Sequence, residues 1–151
     1  MSLEQEIELI RQFPIFNRIQ PAMQKLLCFT AERLTFAQGQ VLFNAGDPGD
    51  AAYIVIEGSI EISVPTPAGP IVVNTLTRNE LIGEIAIFGE VPRTATATAL
   101  TKVETLKISK ELFIKVIREN PDAAIELIRI LATRLVNTTN QLTRTRSGTR
   151  P

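Results

Sequence analysis

The run Ile82-Gly83-Glu84-Ile85-Ala86-Ile87-Phe88-Gly89-Glu90-Val91-Pro92-Arg93-Thr94-Ala95-Thr96 sets a carboxylate and a guanidinium nine positions apart, with a glycine ahead of the first. Gly83 has no Cβ, so its backbone can approach a ligand closely. Residues 84–89 have the length of one short helical turn. The free N–H groups at the start of such a turn, near Ile85 and Ala86, carry partial positive charge and favour an anion. Arg93 adds a planar fork of donors suited to phosphate oxygens. Glu84, when ionised, only accepts hydrogen bonds, which suits a sugar hydroxyl. A cation and an anion bracketing a helix start fit a ligand with one phosphate and one sugar.

The elements around this run must hold it in place. Residues 2–12 carry Leu3, Ile7 and Ile10 between glutamates and predict a short acidic helix that Pro14 breaks. Ile15-Phe16 is expected to plug a core. A second helix is predicted from near Gln20, with Pro21 at its first position and Met23, Leu26 and Leu27 on its apolar face. From about Phe29 the pattern turns to short strands, at 41–43, 51–56, 59–64, 71–76, 95–100 and 103–108, separated by Gly/Pro-rich turns. Many short strands of this kind predict a β-barrel or jelly roll. Ser109 reads as an N-cap, Asn120-Pro121 as a break, and a longer helix is predicted to about Leu142.

The phosphate-suited run, with Gly-Glu-x-Ala, five residues and then Pro-Arg-Thr-Ala-Thr, resembles the cassette of cyclic nucleotide-binding domains. These domains occur in catabolite-activator-type regulators, cyclic-nucleotide-dependent kinases and cyclic-nucleotide-gated channels. The stretch from Gly46-Asp-Pro-Gly to Tyr53-Ile-Val-Ile-Glu-Gly58 resembles the same family. The resemblance implies a mainly β fold with flanking helices (α+β), an eight-stranded jelly roll over the cassette. It implies that Glu84 holds the ribose 2′-hydroxyl and Arg93 the cyclic phosphate. It also implies backbone donors from Gly83, Ile85, Ala86 and the Thr94-Ala95 segment. The expected organisation is N-terminal helices over 1–28, a jelly roll over 29–108 with the cassette at 82–96, C-terminal helices over 109–143, and a disordered tail over 144–151.

The last helix leaves two uses open. Ile128, Leu131, Leu135, Thr138 and Leu142 fall at spacings of 3, 4, 3 and 4, a short heptad seam that suits a homodimer through 122–142. The same stripe suits a helix packed on its own barrel as a lid. After Glu126 no acidic residue follows, while Arg129, Arg134, Arg144, Arg146 and Arg150 make this end basic. It reads as a solvated helix face rather than a nucleic-acid surface, so no direct DNA binding is expected of this chain.

Composition removes several classes. The 151 residues suit one domain. The absence of histidine excludes imidazole metal sites and His-based triads, and one cysteine, Cys28, cannot build a zinc site or an internal disulfide. Cys28 is expected to be a small buried apolar residue. No catalytic residue, metal or cofactor is expected beyond the ligand, cyclic AMP or cyclic GMP. No signal peptide or membrane span is legible, and a cytoplasmic sensor is expected. A ligand-free dimerisation scaffold, or a sensor fragment of a larger regulator, channel or transporter, are the competing readings.

Overall fold

The computed structural model describes the backbone of residues 2–148 and side chains as far as Asn140. Two helices lead the chain, α1 (Leu3–Arg11) and α2 (Pro21–Thr30). Ser2 starts α1 through a reciprocal capping box with Gln5. Eight strands follow: β1 (Glu32–Phe36), β2 (Val41–Phe43), β3 (Ala51–Glu57), β4 (Ile60–Val64), β5 (Ile71–Leu76), β6 (Leu81–Ile82), β7 (Thr96–Ala99) and β8 (Val103–Ser109). A short helix, α3 (Glu84–Phe88), separates β6 from β7, and α4 (Lys110–Glu119) and α5 (Pro121–Gly148) close the chain.

The strands form two four-stranded antiparallel sheets, β1-β8-β3-β6 and β2-β7-β4-β5. This is the expected eight-stranded jelly roll. Six strands answer the six predicted runs, and β1 opens the strand region expected from about Phe29; β6, two residues long, is too short for a period-two pattern to register.

The core has two compartments. Ala51, Tyr53 and Val55 of β3 face between the sheets with Phe36, Ile60, Ala97 and Val103. Ala52 and Ile54, on the other face of the same strand, pack with Leu106 and Ile108 against Phe13, Phe16, Leu27 and Phe113 of the helical layer. Successive strand residues point to opposite faces. A strand covered on both faces therefore reads as an unbroken apolar run, which Ala51–Ile56 does. Ile15 and Phe16 are both buried, as their plug role requires.

Ser109 caps α4, its side chain accepting from the Leu112 amide at 3.3 Å. Asn120 forms the joint to α5. Its Nδ2 donates to the Val116 carbonyl at 2.9 Å and its Oδ1 accepts from the Gln20 amide at 3.3 Å, so the joint is tied to the start of α2. Two expectations change here. The last helix does not end near Leu142 but continues through Gly148, so the tail expected to be disordered from 144 is helical as far as it is described; Thr149–Pro151 lie outside the described residues. Cys28 is half-buried rather than buried. Leu142 belongs to α5, and its side chain lies outside those described.

Candidate functional site

The cassette residues come together. Gly83, Glu84, Ile85, Ala86, Arg93, Thr94 and Ala95 all line one cavity of about 190 Å³. Its remaining wall comes from Phe43 on β2, Ile62 on β4, Val73, Asn74 and Leu76 on β5, Ile82 on β6, and Arg134 and Thr138 on α5.

Backbone geometry positions Arg93. Its amide donates to Asp47 O at 2.8 Å and its carbonyl accepts from the Gly46 amide at 2.8 Å, which fastens the end of the cassette to the β2–β3 turn. The side chain is buried, and the residue is only 4% exposed. Nη1 donates to Gly83 O at 2.9 Å and Nη2 to Ala51 O at 2.6 Å. The guanidinium carbon lies 4.2 Å from the centre of the Phe43 ring, a cation–π contact. Nε is buried with no partner among the described residues.

The charge of Arg93 is poorly matched within the protein. Its ion-pair contact among the described residues is Asp50 Oδ1 at 3.8 Å, on a side chain 74% exposed. Burial lowers the guanidinium's pKa from its ordinary value, while Tyr53, Asp50, Glu84 and Asp47 push it back up. A buried cation with an idle donor favours an incoming anion.

Gly83 adopts φ 92°, a left-handed conformation that favours glycine, immediately before α3. A Cβ there would stand 2.4 Å from Arg93 Nη1. Gly49 plays a matching part across the site, where a Cβ would meet the Ala86 Cβ at 2.3 Å. Both glycines are needed for close approach, the first to the arginine and the second to α3. The Asp47-Pro48-Gly49 turn signalled a bend in the sequence, but not this contact.

Glu84 is buried, and its partner is Arg134 of α5, which donates from Nη1 to the Glu84 carboxylate and from Nη2 to the Leu81 carbonyl. The sequence reading sets Arg134 on a solvated basic face. The structure turns it inward, because α5 forms part of the cavity wall and a long side chain there reaches two acceptors. Nothing in the spacing of Arg129, Arg134 and Arg144 distinguishes it.

The seam on α5 also shifts. Leu131 packs partly against the protein's own core and Thr138 lines the cavity. The exposed apolar stripe is instead Ile125, Ile128, Ala132 and Leu135, with Ile128 64% and Leu135 69% exposed. Among the described residues no group of three or more Cys, Asp or Glu side chains could hold a metal ion, and no helix is long and apolar enough to cross a membrane.

The profile of the cyclic nucleotide-binding domain family matches residues 33–120. The chain belongs to that family. This cyclic nucleotide-binding domain is 32% identical over 138 residues to the CRP-like cAMP-activated global transcriptional regulator of Mycobacterium tuberculosis, covering 89% of this chain and 61% of that protein. It thus spans about three fifths of the length of that curated relative. Among solved structures it resembles the Thermus thermophilus catabolite activator protein, with TM-score 0.73 and 29% identity over 87% of this chain and 62% of that one. The sensor domain of the Pseudomonas aeruginosa transcriptional regulator DNR has TM-score 0.78 over 91% of this chain and 93% of that one; at 22% identity, that likeness concerns the fold. Arg93 and Glu84 both lie within the matched stretch, while Arg134 and Thr138 lie beyond it.

Proposed function

We propose that this chain is a sensor that binds a cyclic nucleotide, with cyclic AMP as its ligand, and works by binding rather than turnover. The observation that carries the reading is the pair of buried, oppositely charged side chains in one cavity, Arg93 with its idle Nε and Glu84 at the start of α3. Arg93, with the amides of the first turn of α3 and of Thr94-Ala95, would take the cyclic phosphate. Glu84 would accept from the ribose 2′-hydroxyl. Phe43, Ile62, Val73 and Leu76 supply apolar surface for the rest of the ligand. No metal or cofactor enters this scheme.

The preference for adenine rests on Thr138. Its Oγ1 donates to the Arg134 carbonyl at 2.9 Å, so towards the cavity it is left to accept. Adenine offers an amine donor on its exposed edge where guanine offers the O6 acceptor. Calorimetric titration with cyclic AMP and cyclic GMP tests this. Cyclic AMP should bind more tightly, and Thr138→Val should narrow the gap; equal affinities, or a gap that Thr138→Val leaves intact, would overturn the adenine assignment.

Arg134 bridges α5 to the cassette, so a ligand at Glu84 acts on the contact that docks this helix. Ligand would shift the packing of α4 and α5 by its differential affinity for the two arrangements. The stripe Ile125, Ile128, Ala132 and Leu135, at spacings of 3, 4 and 3 and exposed throughout, favours a homodimer through α5. A cytoplasmic location and a role as the sensor part of a longer regulator complete the reading.

A further inference from the structure

The cavity wall on β5 is built irregularly. Ile62 pairs with Asn74, but the next pair is Ser63 with Val72, so Val73 is an extra residue in the strand. Such a bulge re-aims side chains. Asn74 lies two positions from the buried Leu76, on the same strand face, and both it and its cross-strand partner Ile62 line the nucleotide cavity. The bulge brings the neighbouring Val73 to the same wall, which regular alternation forbids.

On the strand side this wall is otherwise apolar, made of Phe43, Ile62, Val73, Leu76 and Ile82. Among the described residues, Asn74 is the one side chain there with a donor and an acceptor. Its Oδ1 already accepts from the Thr75 amide at 2.8 Å. That contact orients the amide and leaves Nδ2 as the free group, a pure donor. A second groove, between β5–β6 and α5, shares two lining residues with the cavity, Asn74 and Arg134. Asn74 therefore stands at the rim facing α5, the helix that carries the acceptor Thr138.

We infer that Asn74 reads the purine ring, its Nδ2 donating to a ring nitrogen of adenine beside the exocyclic amine that Thr138 accepts. The inference rests on the nucleotide reading above and deepens it. Adenine sets an acceptor nitrogen on either side of its amine, N1 and N7, so one donor and one acceptor on the protein match it together. The N7–O6 edge of guanine carries two acceptors and leaves Thr138 unmatched.

The test is calorimetric titration of wild type and Asn74→Ala with cyclic AMP and with its 1-deaza and 7-deaza analogues, each of which replaces one ring nitrogen by C–H. Wild type should lose about three- to tenfold in affinity for one of the two analogues. Asn74→Ala should lose a similar factor for cyclic AMP itself and no longer distinguish cyclic AMP from that analogue. Because the readout is a ratio between ligands, a general loss of stability in the variant does not mimic it. Wild-type affinity in Asn74→Ala, an undiminished preference over the deaza analogue in that variant, or no preference in wild type would each overturn the inference while leaving the nucleotide reading standing. Absence of any nucleotide binding by wild type would overturn both.

Discussion

Arg134→Ala probes the contact that joins α5 to the cassette. The substitution strands Glu84, whose side chain keeps only 2% of its surface in water, while Arg134 itself keeps 23%. Removing one partner of a buried pair costs about 3–5 kcal/mol. The partial exposure of Arg134 screens the pair, which lowers the expectation to about 2–4 kcal/mol. For a chain of this length that corresponds to a fall in Tm of roughly 5–15 °C. The Leu81 carbonyl loses the same donor and adds to the cost. Glu84→Gln in the Arg134→Ala background removes the stranded charge, so the double variant should be more stable than the sum of the singles by about 1–3 kcal/mol. Urea unfolding of the four proteins, followed by far-ultraviolet circular dichroism, measures the cycle. Amide exchange in α5 should rise in Arg134→Ala, since beyond the partly packed Leu131 the helix loses its polar anchor. An Arg134→Ala protein as stable as wild type, with an additive cycle, would refute the account of how α5 is held.

Other substitutions separate the site from the scaffold. Gly83→Ala forces a left-handed residue at about 1–2 kcal/mol and drives a Cβ into Arg93; nucleotide affinity should fall at least about tenfold by calorimetry. Glu84→Ala removes a charged acceptor and should cost about 1.5–3 kcal/mol of nucleotide binding, read in the same titration. Phe16→Ala, at a fully buried core position, should cost about 3–5 kcal/mol of stability in urea. Leu135→Glu places a charge in the exposed stripe and should abolish self-association in sedimentation velocity, leaving melting of the monomer little altered.

The sheet region was legible because turn chemistry and alternation agree along most of it. β3 declared itself by an apolar run with no polar face, and the structure covers it on both sides. β6 was not legible, since two residues carry no period. The cassette was legible because its glycine, carboxylate and guanidinium lie within one short segment, so local spacing alone brings them together. Arg134, Thr138 and Asp50 were not, because their proximity to the cassette depends on how α5 and the β2–β3 turn fold back onto it. A heptad count on α5 cannot distinguish Thr138, which lines the cavity, from Leu135, which faces outward; only the crossing of α5 over the barrel assigns the two faces.

In the proposed function Arg93 neutralises the phosphate of a cyclic nucleotide inside the cavity. Calorimetric titration of wild type beside Arg93→Ala with cyclic AMP measures this role, with thermal melting of the free proteins as a check on folding. Wild type should bind at micromolar concentration or tighter, and the variant should lose about 3–5 kcal/mol, a factor of roughly 10²–10³ or more. Arg93→Lys should recover only part of this, because the planar fork is lost. Wild-type affinity in Arg93→Ala would remove Arg93 from the phosphate site, and no binding of either cyclic nucleotide by the wild type would overturn the sensor function.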